Sequence, residues 1–119
     1  MKPDLEELTR RLIAFRDARD WRQFHSMKNL ILSASLEAAE IMELVQWKDD
    51  DAVEHAAQGD ADFRARLAEE CADVLLYLLL ICERTGIDLT EAAVAKIDLN
   101  EKKYPVDKAR GNAKKYTEL

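Results

Sequence analysis

From Asp62 to Thr85 the chain contains neither glycine nor proline, and from Val74 to Cys82 every residue is apolar. A helix that is apolar on all sides cannot lie at a protein surface, because one face would meet water. Nine residues reach only about half the ~20 needed to cross a bilayer, so the segment asks for protein around it rather than lipid. A chain of 119 residues has few helices with which to surround it. The expected architecture is therefore an all-α bundle of four main helices, completed by further copies of the same chain. Composition agrees. Ala, Leu, Glu, Lys and Arg make up just over half of the residues, against 3 Gly and 2 Pro. That usage belongs to long helices and excludes a β-sandwich or barrel, which would need many Gly and Pro turns.

The formal charge of −6 does not suit a nucleic-acid partner, which calls for a basic face. No GxGxxG or GxxxxGK motif is present, so a Gly-rich phosphate loop is excluded. The expectation is a cytoplasmic protein with no membrane partner, since no charged-then-apolar leader opens the chain. Cys71 and Cys82 lie eleven residues apart in one helical segment, about 16 Å along its axis, too far for a disulfide within the chain. Neither has a ligand-spaced neighbour, which argues against zinc. Both read as buried small apolar residues.

Local signals place the helices. Asp4 and Glu7 form a capping box for a first helix from Pro3 to Arg19. The segment Asp20 to His25 breaks the period and is unusually aromatic. Ser26 caps a second helix ending near Trp47. Residues 48–62 form a polar connection in which Asp51 and Glu54 can cap one short helix before Gly59. A third helix runs from Asp60 or Asp62 to Arg84, stopped by Gly86. Asp88 and Glu91 open a fourth, which ends near Tyr104 before Pro105. This gives a domain over 1–104 and a short tail over 105–119.

The second and third helices each carry an acidic pair at i, i+3: Glu37 with Glu40, and Glu70 with Asp73. Both pairs border apolar stripes. Carboxylates packed there are costly and repel one another unless cations lie between them. Oxygen-only donors select a hard ion such as Mg²⁺ or Mn²⁺. Such pairs are also common on solvated helical faces, and spacing alone leaves that reading open. A di-iron bundle needs Glu-x-x-His, and neither His25 nor His55 has a glutamate three residues before it.

The runs Leu36-Glu37-Ala38-Ala39-Glu40 and Glu70-Cys71-Ala72-Asp73 resemble the ExxE…ExxD signature of the all-α, MazG-like nucleoside triphosphate pyrophosphohydrolases. Asp20-Trp21-Arg22-Gln23-Phe24-His25, Gln46-Trp47-Lys48, Lys103-Tyr104-Pro105 and Lys115-Tyr116-Thr117-Glu118 further resemble the dCTP pyrophosphatase branch. The resemblance runs along nearly the whole chain. It implies Mg²⁺-dependent conversion of dCTP or a modified pyrimidine triphosphate to the monophosphate and pyrophosphate. It implies Glu37, Glu40, Glu70 and Asp73 as metal ligands and catalytic residues, and a homo-oligomer built as a dimer of dimers. Trp21, His25, Trp47 and Tyr77 match positions that hold the base, with Gln23 and Phe24 in the same loop. Lys96 and Asn100 resemble a phosphate-facing pair. Two departures stand out: many relatives have a second acid where this chain has Leu36, and some have a histidine where it has Leu12. The packing readings are a core anchor for Trp47 and ordinary helix packing for Tyr77 and Phe24. For the tail, six basic residues against one acid between Lys102 and Lys115 fit either a solvated segment or closure over a triphosphate. A regulatory or assembly module that binds nucleotide or metal without turnover is the competing function.

Overall fold

Short polar side chains set the start of each long helix in the computed structural model, which describes residues 1–119. Helix α1 (Leu5–Ala18) begins where Asp4 accepts the Glu7 N–H at 2.8 Å. The chain leaves α1 through Asp20, whose φ of 54° is a left-handed conformation that Asp tolerates better than most residues. A single 3₁₀ turn over Arg22–Phe24 follows. Ser26 then accepts the Asn29 N–H at 3.1 Å to start α2 (Met27–Glu43), which loosens into turns through Trp47.

The connection holds a full helix, α3 (Asp50–Gly59). Its cap is Asp49, which accepts the Ala52 N–H at 2.9 Å, and not the expected Asp51 with Glu54. Of three consecutive aspartates the first is the one that can face N3 while the other two sit in the first turn. Asp60 accepts the N–H groups of Asp62 and Phe63 to open α4 (Ala61–Thr85), and Gly86 closes it at φ 71°. Asp88 caps α5 (Leu89–Lys103) through the Glu91 N–H at 3.0 Å. A four-residue helix, α6 (Val106–Ala109), and a 3₁₀ turn over Tyr116–Glu118 complete an all-helical chain.

Residues Met1–Gly86 and Ile87–Leu119 form two compact units. In the first, α1, α2 and α3 all pack on α4. Helices α2 and α4 run antiparallel: Arg84, at the end of α4, donates to the carbonyl of His25 just before α2. At the opposite end the Lys48 ammonium lies 5.8 Å from the Phe63 ring centroid. The core of this unit is small, comprising Leu30 and Leu44 of the α2 segment with Phe63, Leu79 and Leu80 of α4. In the second unit the tail folds back on α5. Tyr104 meets Tyr116 edge to face at 6.0 Å, and the Lys103 ammonium sits 4.7 Å from the Tyr116 ring.

Much apolar surface is left uncovered by one chain. Ile31, Leu32, Leu36 and Met42 on α2 are all at least half exposed. Of the apolar run Val74–Cys82 only Leu79 and Leu80 are buried, and Leu78 is exposed. The cysteine expectation fails at one position: Cys71 is exposed, and Cys82 is half-buried. No helix is long and apolar enough to cross a membrane.

Candidate functional site

Leu30, Glu37 and Leu44 are spaced seven apart, so they share one line along α2, drifting only about 20° per step. Both leucines are buried. Glu37 thus stands in the middle of the core-facing line, where the pattern would place a third leucine; it does not merely border the stripe. On α4 the same seven-residue spacing runs Phe63, Glu70, Tyr77, and Asp73 is seven before Leu80. Phe63 and Leu80 are buried. Two helices that pack through apolar side chains at both ends therefore meet through carboxylates in the middle.

One carboxylate oxygen each from Glu37, Glu70 and Asp73 lies within 4.8 Å of the other two. Glu40, one turn beyond Glu37, lies against both Glu37 and Glu70 and makes each harder to ionise. Burial and then the Glu40, Asp73 and Glu70 charges push the Glu37 carboxyl up to about 7. Glu70 is also raised, chiefly by Glu40. Glu37 Oε2 and Glu70 Oε2 are buried without any hydrogen-bond partner. A buried polar atom without a partner is destabilising by roughly 1–3 kcal/mol, and more when charged. The orphaned oxygens, the all-oxygen donor set and the raised pKa values fit a hard divalent cation. Glu37, Glu70 and Asp73 would hold it, with Glu40 adjoining.

The aromatic loop lies elsewhere on the same helix pair. The Trp21 ring meets Phe15 edge to face at 5.7 Å, and the Arg19 guanidinium lies 3.8 Å from the Phe15 centroid. Gln23 donates to the Asp20 carbonyl and carboxylate, both at 3.0 Å, so its amide is engaged within the loop. Phe24 is exposed, so it is not packed as a core residue in this chain. His25 is half-buried and its Nδ1 is buried without a partner. Burial, followed by the Arg16 and Arg84 charges, lowers its pKa and favours the neutral ring.

Trp47 is 89% exposed, which removes the core-anchor reading within one chain. It lies past the end of α2 remote from the aromatic loop, with ~25 Å of helix axis between them. One protomer does not bring Trp21 and Trp47 to a common base. Tyr77 is half-buried on α4, one turn beyond Asp73, and is the aromatic side chain nearest in sequence to the carboxylates. Lys96 and Asn100 are exposed on α5 in the second unit, and the Asn100 carbonyl accepts the Tyr104 N–H at 2.8 Å.

Sequence reasoning passed over Arg16, the one buried charged side chain of the protein. It pairs with Asp17 at 2.9 Å and with Glu83 at 3.3 Å. A signal was available: Arg16 follows Leu5, Leu8, Leu12 and Phe15 on the apolar side of α1, where a charge needs a partner from another element.

Fold and site together define a class: an all-α protein in which two antiparallel core helices bring four carboxylates to one place. A sequence model of the MazG-like family matches residues 32–119. Two proteins named dCTP pyrophosphatase 1 are similar along almost the whole chain. The one from Bos taurus is 42% identical over 118 residues, 99% of this chain and 69% of that protein. The one from Homo sapiens is 43% identical over 119 residues, again 99% and 69%. A crystal structure of a pyrophosphatase from Archaeoglobus fulgidus superimposes with a TM-score of 0.79 at 39% identity, over 88% of this chain and 95% of that one. The chain belongs to the MazG-like family.

Proposed function

We propose that this protein is a nucleoside triphosphate diphosphatase that converts dCTP, or a modified pyrimidine deoxynucleoside triphosphate, to the monophosphate and pyrophosphate. Its role would be to clear the nucleotide pool. The observation that carries the reading is the cluster of Glu37, Glu70 and Asp73 in the middle of the α2–α4 seam, with two buried oxygens lacking partners. The names of the relatives support the substrate class.

Glu37, Glu40, Glu70 and Asp73 are the catalytic set and hold Mg²⁺, with Mn²⁺ the nearest substitute. When bound there, the cation supplies neutralisation of phosphate charge and acidifies water near neutral pH. The chain's own part is to hold the carboxylates in one orientation and to offer side chains suited to the base and to the phosphates. Trp21 and His25 offer a stacking face and an edge for the base; Gln23, tied to Asp20, and the exposed Phe24 belong to the same binding loop. Tyr77 and Trp47 offer further aromatic walls. Lys96 and Asn100, and the lysines about the Tyr104–Tyr116 contact, are suited to phosphate oxygens.

The site is completed by other copies of the chain, in a homo-oligomer built as a dimer of dimers. Two observations support this. Trp21 and Trp47 sit at opposite ends of α2, and the exposed Ile31, Leu32, Leu36 and Met42 leave α2 with apolar surface to cover. The deciding experiment is pyrophosphate release from a panel of triphosphates with and without Mg²⁺. Mg²⁺-dependent release, strongest with dCTP or a modified relative, is expected. Nucleotide binding without release would instead make the protein a binding module.

A further inference from the structure

The loop from Trp21 to His25 is held at its start by the backbone of Arg16 and at its end by the side chain of Arg84, two residues that the proposed chemistry does not use. At its start, the Arg16 carbonyl accepts the Trp21 N–H at 3.1 Å, while the Arg16 guanidinium reaches Asp17 and Glu83. At its end, Arg84 donates to the His25 carbonyl. Glu83 and Arg84 are consecutive residues of α4, so one turn of that helix takes hold of both ends of the loop. Isolating a guanidinium from water is costly unless well-placed acceptors surround it. Arg16 is 5% exposed, and an exposed arginine would serve α1 equally well as a helix former. The buried arrangement does something the helix alone does not need: it ties α1, the loop and α4 to one another. After burial, the charges of the same two arginines also favour the neutral His25 ring.

We infer that Arg16, Glu83 and Arg84 are positioning residues that register the aromatic loop against α4, the helix bearing Glu70 and Asp73, and so set nucleotide affinity without entering the chemistry. Asp73 and Arg84 are eleven residues apart on one uninterrupted helix, ~16 Å of rise. A loop bolted to that helix keeps a constant offset from the carboxylates, whereas a loop attached only through its own backbone would not. The inference rests on the reading that this loop grips the base.

The test is steady-state kinetics with dCTP and Mg²⁺ on Arg84→Met, Arg84→Lys and Glu83→Gln. Arg84→Met keeps the aliphatic stem and removes the donor. It should raise KM about 5- to 20-fold with kcat within about 2-fold, the size expected for one charge-assisted hydrogen bond that orders a binding loop. Arg84→Lys, which retains a charged donor, should recover most of that loss, and Glu83→Gln should raise KM in the same sense. In a Trp47→Phe background, acrylamide quenching of Trp21 should increase with Arg84→Met and return with Arg84→Lys. An unchanged KM, or a fall in kcat at constant KM, would overturn the inference while the diphosphatase reading stood. A wild-type protein that released no pyrophosphate from any triphosphate would overturn the reading and this inference together.

Discussion

Glu40 is the carboxylate that most raises Glu70, and it also presses on Glu37. If its charge serves the cation, Glu40→Gln, which keeps the shape, should lower Mg²⁺-dependent turnover by ~100-fold or more. Activity within a few-fold of wild type would remove Glu40 from the catalytic set. Glu37 makes a second, thermodynamic test. Its carboxyl titrates at about 7 in the metal-free folded chain, against an ordinary value of 4.5. Between those values the folded state binds more protons than the unfolded one, so stability should fall as pH rises from about 4.5 through 7. Above 7 the penalty is complete, and a cation that favours the ionised form should relieve it. Thermal melts of EDTA-treated protein at pH 5.5 and 8 check this. Glu37→Gln should flatten the difference, and a wild-type melt independent of pH would contradict the assigned crowding. At this scale the acidic pairs were legible, because i, i+3 spacing is local. Their depth was not. The apolar stripe Met27, Leu30, Ile31, Ala34, Ala38, Ile41 and Val45 is centred ~70° away from Glu37 at 100° per residue, whereas the buried residues Leu30 and Leu44 lie on Glu37's own line. Ile31 and Ala38 drew the average aside, and one chain leaves both exposed.

Helix ends were read well from the sequence because each cap is a contact over two or three residues. Asp4, Ser26 and Asp88 cap as expected, and Gly86 takes the left-handed conformation expected of a terminator. Nothing lies within 4 Å of a Cβ built on Gly86. Gly86→Ala should therefore cost only its backbone strain, ~1–2 kcal/mol, visible as a lowered Tm. A melt indistinguishable from wild type would show that the end of α4 relaxes freely. Less legible were features set by contacts between elements. Leu79 lies in the all-apolar run that the sequence assigns to packing by further copies of the chain. It is 2% exposed within one chain, so Leu79→Glu tests the protomer core and should unfold it. Arg16 was missed for the same reason, since its partner Glu83 lies 67 residues away. The fate of Cys71 depends on which face of α4 is covered, and local spacing does not say.

For the whole molecule, the exposed leucines of α2 are the place to probe assembly. Leu36→Glu, at a position 67% exposed in one chain, should shift the mass seen by light scattering toward 13.6 kDa without unfolding the helices. An unchanged mass would move the interface off this face. The substrate reading predicts that Trp21→Ala raises KM for every nucleotide roughly 5- to 150-fold, because stacking is worth about 1–3 kcal/mol and distinguishes bases poorly. If Trp21 and Trp47 of different copies meet one base, mixing Trp21→Ala with Trp47→Ala protein should regenerate sites that neither variant has alone. The line Leu30–Glu37–Leu44 has one more consequence. Glu37→Leu would complete the repeat on α2 and take one of the crowded carboxylates out of the seam between α2 and α4. The metal-free protein should then melt higher while losing turnover. If the acid in that line serves the reaction, a more cohesive helix pair lies a single substitution away from it, and the seam is less stable than its own repeat would allow.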